Sequence, residues 1–380
     1  MSNKYTLPKS VSASPLVMRN LVVWGLPLLG WIILIVLWLM FASSDSDKTS
    51  EVTNTATKPV ATEPAAPSAP ATPVVPTTPV APTTPVAPSA PAAPVQQSTT
   101  PEQPVQAASN TAVYTFMPYD FKNAVASVGL PKEVACNTGI LVDIASRKVL
   151  WAKGADRAVP IASMTKMMTM LLAEEAIAQG RITRETVIPV TTAAFKIGGS
   201  QVWLDPRQSF PLSELMKAIA IKSANDAAYL VGEYLGQGDV QAFVSRMNVR
   251  ARELGMTHTT FYDAHGLGDL KKRNNLASAH DMVLLAERLL SYPEVMKLAA
   301  TRMDTFDGKI ELKNHNNLVF NRVTGVDGLK TGYTKASGYC VTFTCLRGGR
   351  RLIGCVTGFK SAKDRDAFCR SLLDWGYSKH

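Results

Sequence analysis

Pro160-Ile161-Ala162-Ser163-Met164-Thr165-Lys166 runs into Met167, Met168, Met170, Leu171 and Leu172 at helical spacing, and Gly180 closes the stretch. The pattern predicts a helix opened by Ser163. Lys166, three residues on, then shares its face, so the lysine amine can reach the serine hydroxyl. A serine hydroxyl is a poor nucleophile without a base at hydrogen-bond distance, and a lysine serves if its surroundings keep it neutral. Backbone N–H groups at the same helix start can stabilise a developing oxyanion. S-x-x-K alone is a weak signal, because a solvent-facing Ser and Lys on a helix satisfy it equally well.

Its company carries the argument. Gly139–Asp143 and Val149–Ala152 read as short strands turning at Ser146-Arg147. Ser223-Ala224-Asn225 precedes Asp226-Ala227-Ala228-Tyr229-Leu230, a loop capped by Asp226 and entering a helix. Lys330-Thr331-Gly332 lies between Gly328 and the strand Tyr339–Leu346. Each element has a physical task. Ser223 can relay a proton to a leaving amine, and Asn225 can hold a substrate amide. Lys330 supplies a cation for a carboxylate, Thr331 can bond the same group, and Gly332 lets a substrate backbone pair with the strand.

S-x-x-K, S-x-N and K-T-G, once each and in this order, resemble the motif set of active-site serine penicillin-binding proteins and class A β-lactamases. The segments Ile197-Gly198-Gly199-Ser200, Leu254-Gly255-Met256, Asn316-Asn317-Leu318, Gly325-Val326-Asp327-Gly328-Leu329 and Asp374-Trp375-Gly376-Tyr377 resemble the low-molecular-mass D-alanyl-D-alanine carboxypeptidases of the S11 peptidase type. The resemblance covers residues 112–377. It implies an α/β (α+β) β-lactamase/transpeptidase-like fold, a central antiparallel sheet flanked by helices. It also implies a serine acyl-enzyme reaction on the D-Ala-D-Ala end of peptidoglycan stem peptides, with catalytic Ser163, Lys166, Ser223 and Asn225. Lys330, Thr331, Gly332 and Tyr333 would bind substrate, the backbone N–H groups of Ser163 and Tyr333 forming the oxyanion hole. β-Lactams would act as covalent inhibitors. Many family members carry a second β domain and a C-terminal amphipathic anchor after the Trp-Gly segment, where this sequence ends three residues past Tyr377.

A β-lactamase needs a second base, a Glu in an E-x-x-L-N segment. The nearest stretch here is Glu287-Arg288-Leu289-Leu290-Ser291, with Ser in place of Asn. A D,D-endopeptidase cutting cross-links is the nearer alternative, because the same motifs hydrolyse both bonds and pocket shape separates them. A non-catalytic wall-binding domain would tolerate loss of catalytic residues, and all are present.

Outward from this domain the composition changes. Of the 24 prolines in 380 residues, 14 lie between Val52 and Asn110, a stretch without aromatic residues that cannot build a core. Eleven fall at every third position from Pro64 to Pro94, matching the ~3 residues per turn of polyproline II. At ~3.1 Å per residue this repeat reaches about 95 Å. Before it, Leu21–Ala42 is an apolar run free of charge and long enough for a bilayer, preceded by Lys4, Lys9 and Arg19 and followed by Asp45 and Asp47. The chain thus divides into a cytoplasmic tail (1–20), a membrane anchor (21–42), a disordered linker (43–111) and an extracytoplasmic catalytic domain (112–380). The other reading of 21–42 is a cleaved signal sequence, with small residues at Ala42-Ser43-Ser44.

The formal charge of +10 belongs to residues 112–380, which suits a carboxylate-rich substrate, while export makes nucleic acid an unfitting partner. Five cysteines are an odd number in an oxidising compartment, and they read as buried small hydrophobes. No Cys or His spacing calls for a metal, and the reaction calls for no cofactor. The five histidines, His258, His265, His280, His315 and His380, read as structural or exposed.

Overall fold

Arg347-Gly348-Gly349-Arg350 is the tightest constraint on the sheet. A turn centred near Gly348 predicts Cys345 opposite Leu352 and Thr342 opposite Cys355. The computed structural model, which describes residues 117–269 and 271–379, has both pairs in register. Around this hairpin the strands are β1 (Gly139–Asp143), β2 (Lys148–Lys153), β3 (Val159–Pro160), β4 (Val187–Pro189), β5 (Ser209–Pro211), β6 (Leu276–Ala277), β7 (Met303–Phe306), β8 (Ile310–Lys313), β9 (Val326–Thr334), β10 (Gly338–Arg347) and β11 (Arg350–Phe359). Five of them form an antiparallel sheet in the order β2-β1-β11-β10-β9. The pairs β3–β6, β4–β5 and β7–β8 are separate small ribbons.

Every residue of β1 is buried, which requires cover on both faces. Strand alternation sends Ile140 and Val142 to one side and Leu141 to the other. Ile140, Val142 and Ile353 meet Met164, Met167, Met168 and Leu171 from the helical layer. Leu141, Phe343 and Leu352 meet Phe368 and Leu372 of the last helix, Ala362–Tyr377. On that second face Trp151 packs edge-on against Phe368 at 5.5 Å. Its indole N–H donates to Glu133 at 3.0 Å, so the buried ring leaves no donor unpaired.

The helix after the serine is Lys166–Ala178, with nine of its 13 residues buried. It lies inside the helical layer and has little polar face. The five cysteines are all buried and unpaired. Burial pushes the Cys136 thiol up to about 12, so it behaves as a small apolar group. Among the described residues no helix is long and apolar enough to cross a membrane. The anchor expected at 21–42 and the linker at 43–111 lie outside them.

Candidate active site

The serine does not open the α-helix. Ala162–Thr165 form one 3₁₀ turn and the α-helix begins at Lys166. The tighter turn nearly eclipses positions three apart, which draws the lysine over the serine. Lys166 Nζ lies 3.0 Å from Ser163 Oγ. The turn is pinned from within by the Thr165 hydroxyl, which donates to Ala162 O at 2.7 Å, and from outside by Asn275 Nδ2, which donates to Thr165 Oγ1 at 2.8 Å.

Lys166 has no solvent exposure, and two further oxygens touch its amine: Asn225 Oδ1 at 2.6 Å and His265 O at 2.5 Å. Both are acceptors only. In its neutral form the amine has two hydrogens and one lone pair; with these two oxygens taking the hydrogens, the lone pair faces Ser163 Oγ. Burial, and then the nearby Lys330 cation, hold the amine well below the ordinary lysine range, against the pull of Asp263 and Asp226.

Ser223 follows a single π-helical turn, Ala218–Lys222, and takes a left-handed conformation at φ 62°. Such a conformation costs a non-glycine residue of order 1–3 kcal/mol. It places the serine at the cavity wall, with Asn225 opening the next helix, Asn225–Leu235. Asp226 is not the expected cap. It stands inside the first turn, and its carboxylate accepts from Val202 N at 3.1 Å, Leu204 N at 3.3 Å and Ala227 N at 2.9 Å. It therefore ties the 198–204 segment to the helix. Asn225 completes that seam, its Nδ2 donating to Gly198 O at 2.8 Å. Both ends of its side-chain amide already have protein partners.

Lys330, Thr331, Gly332 and Tyr333 lie on β9, an edge strand facing the serine turn. Gly332 has a second reason to be glycine: a Cβ there would stand 2.5 Å from Ile161 O, in the turn that carries Ser163. A cavity of about 400 Å³ lies in this cleft, lined among others by Ser163, Ser223, Asn225, Thr331, Gly332 and Tyr333. Lys330 is 2% exposed and does not itself line the cavity; its amine donates to Thr331 O at 3.2 Å. Burial, then the Arg365 guanidinium, bring its pKa down to about 7.

The structure adds residues that no motif announced. Arg365, on the last helix, lines the cavity while held by Asp366 at 2.6 Å and Cys340 O at 3.1 Å. His315, exposed as expected, lines the same cavity. His265 contributes its backbone carbonyl, which carries no side-chain signature. The loop holding it is organised by Asp263, whose carboxylate accepts from the N–H groups of His265, Gly266 and Gly268.

An antiparallel sheet between two helical layers, with a serine–lysine pair facing its edge strand, defines the α+β fold of the penicillin-binding proteins and transpeptidases. Residues 124–361 match the peptidase S11 family, described as D-alanyl-D-alanine carboxypeptidase, and the chain belongs to that family. It is 36% identical over 247 residues to D-alanyl-D-alanine carboxypeptidase DacF of Bacillus subtilis, a match covering 64% of this chain and 62% of the relative. A D-alanyl-D-alanine endopeptidase of Escherichia coli is 29% identical over 228 residues, 58% of this chain and 70% of its own length. Among solved structures, Penicillin-Binding Protein D2 from Listeria monocytogenes in its ampicillin-bound form superposes with a TM-score of 0.58 at 29% identity. That superposition covers 64% of this chain and 97% of the other.

Proposed function

We propose that residues 112–380 are a serine-type D-Ala-D-Ala carboxypeptidase that removes the terminal D-alanine from peptidoglycan stem pentapeptides through an acyl-enzyme on Ser163. The observation that carries this is the buried amine of Lys166, 3.0 Å from Ser163 Oγ and held in place by Asn225 Oδ1 and His265 O. The Ser163 proton passes to Lys166 as Oγ attacks the penultimate carbonyl carbon. The oxyanion meets the backbone N–H groups of Ser163 and Tyr333. Ser223 delivers a proton to the departing amine and is reprotonated from Lys166, the C–N bond breaks, and D-alanine leaves, so that Lys166 is again free to act as base. Water then attacks the ester, and its proton restores the serine hydroxyl. Asn225 holds the lysine, while Lys330 and Thr331 bind the substrate carboxylate, with Gly332 and Tyr333 along the acyl chain. A β-lactam carries a carboxylate and a reactive carbonyl in the same relation, so it acylates Ser163. The bound ampicillin of the Listeria relative supports this reading.

Intact-mass measurement after penicillin treatment tests the assignment. The full-length protein gains one adduct, and Ser163→Ala does not; an adduct surviving the substitution overturns it. D-Alanine release from a pentapeptide, compared with cleavage of a cross-linked dimer, separates the carboxypeptidase from the endopeptidase that the Escherichia coli relative makes the second reading.

The same proposal places the domain outside the cytoplasmic (inner) membrane, held by a single-pass anchor at 21–42 and spaced from it by the linker at 43–111. The charge order around the apolar run and the proline period support it. Retention in the membrane fraction through alkaline carbonate with a native N-terminus is the expected result, and a mature N-terminus near Asp45 refutes it.

A further inference from the structure

Strand β9 continues past the site into Thr334 and a turn at Lys335-Ala336, before β10 returns. A second cavity of about 370 Å³ lies there, lined by Tyr333, Lys335, Ser337, Asn137, Phe359 and Lys360, among others. Tyr333 lines both cavities. It is 54% exposed and its ring stacks on Tyr339 at 4.1 Å, so an aromatic wall joins the reaction cleft to this neighbour.

The second cavity has a definite charge. Lys335 and Lys360 both line it, no acidic residue does, and neither lysine makes an ion pair among the described residues. Two exposed ammonium groups beside an active-site cleft form a receptor for an anion.

The position along the strand says which anion. A substrate that extends β9 antiparallel, with its terminal carboxylate at Lys330 and Thr331, runs its upstream residues toward Tyr333 and Thr334. At ~3.3 Å per residue, the third residue from the C-terminus falls about 7–10 Å along. Its side chain then reaches the cavity that holds the two lysines. We propose that Lys335 and Lys360 form a specificity subsite for a carboxylate at the end of that third side chain, so that the enzyme selects stem peptides bearing a diamino-dicarboxylic residue there. A side chain ending in an ammonium alone, as in lysine, or in an amidated carboxyl, brings a net positive charge to the same cavity and is repelled. This inference rests on the carboxypeptidase reading.

Three pentapeptides test it, with diaminopimelate, its amide and lysine at the third position, on the full-length protein. The diaminopimelate peptide is expected to have a kcat/KM about tenfold above the other two, a ratio that shrinks with added salt. In the double variant Lys335→Glu, Lys360→Glu that ratio falls to one or below. Equal rates on the three peptides in the wild type, or a preference that survives charge reversal, overturn the subsite and leave the carboxypeptidase standing. Release of D-alanine from none of them overturns the carboxypeptidase reading and the subsite with it.

Discussion

Gly266→Ala probes how closely the lysine loop is built onto the nucleophile. Gly266 sits at φ +97°, and a Cβ on it would stand 2.1 Å from Ala162 O and 2.8 Å from Ser163 N. Ordinary contact begins above 3 Å, so a gap of roughly 1 Å has to open between the 263–268 loop and the serine turn. Neither side gives way freely. The Asp263 carboxylate holds His265 N at 2.7 Å and Gly268 N at 2.9 Å, and Lys166 holds His265 O at 2.5 Å. Backbone strain at positive φ contributes about 1–3 kcal/mol and overpacking a similar amount. For a domain of this size that corresponds to a drop in Tm of roughly 5–15 °C. Displacing a catalytic group by ~1 Å costs about 10²-fold in rate, so acylation by a fluorescent penicillin should slow by that factor in the fraction that remains folded. Gly308→Ala is the control, with φ +65° and nothing within 4 Å of the added methyl. It should lose about 1 kcal/mol and acylate at the wild-type rate. If Gly266→Ala melts with the wild type and acylates within threefold of it, the loop does not position the lysine.

Two pH effects follow from the buried bases. With Lys330 near 7 in the empty site, most of it is unprotonated at pH 8, and a carboxylate ligand must draw in a proton. Calorimetry of a D-Ala-D-Ala peptide binding to Ser163→Ala, in buffers of different ionisation enthalpy, should show uptake approaching one proton at pH 8 and affinity falling as pH rises above 7; buffer-independent heat contradicts this. His265 is lowered to about 4 by burial, with Asp263 opposing and Lys166 reinforcing the shift. The unfolded chain therefore binds more protons than the folded one between pH 6.5 and 4, so stability is lost as pH falls through that window, by about 2 kcal/mol from His265 at pH 5. Urea unfolding at pH 7 and pH 5 measures it, and equal stabilities refute it.

The hairpin register, four of the five strands of the sheet and the order of the three motifs were legible because each is local: a turn, an alternation, a short spacing; β9, the strand that carries Lys330, was not read as a strand. The start of the helix at Lys166 was not, since the 3₁₀ turn is imposed by partners elsewhere, among them Asn275. Asp226 looked like a cap by its place before an apolar run, yet its carboxylate serves amides more than twenty residues upstream. The third partner of Lys166 is a backbone oxygen 99 residues away, and any amino acid there would spell the same carbonyl. Arg365 comes from the last helix and meets the site only because that helix crosses the sheet. Gly332 also faces the Ile161 carbonyl, a close approach that no local pattern in the sequence announces.

Lys166 and Lys330 show how one residue type takes two opposed tasks in one cleft. Both are buried, and burial lowers both. The difference lies in their company. Lys166 has the Lys330 cation beside it, which together with burial holds the pKa of its amine low, while Ser163, Asn225 Oδ1 and His265 O fix where that amine stands. Lys330 has one carbonyl partner and an arginine neighbour, so it lacks the counter-charge that a substrate carboxylate brings. Below about pH 7, where Lys330 carries its charge in the empty site, that charge helps to hold the pKa of the Lys166 amine low. When a carboxylate seats on Lys330, the pair is close to neutral and that repulsion weakens, so the proton affinity of Lys166 rises. On the proposed mechanism the base is thus strengthened at the moment the scissile carbonyl reaches Ser163. A ligand without the terminal carboxylate would lose this gain as well as its binding contact, and would be penalised in the acylation rate and not only in affinity.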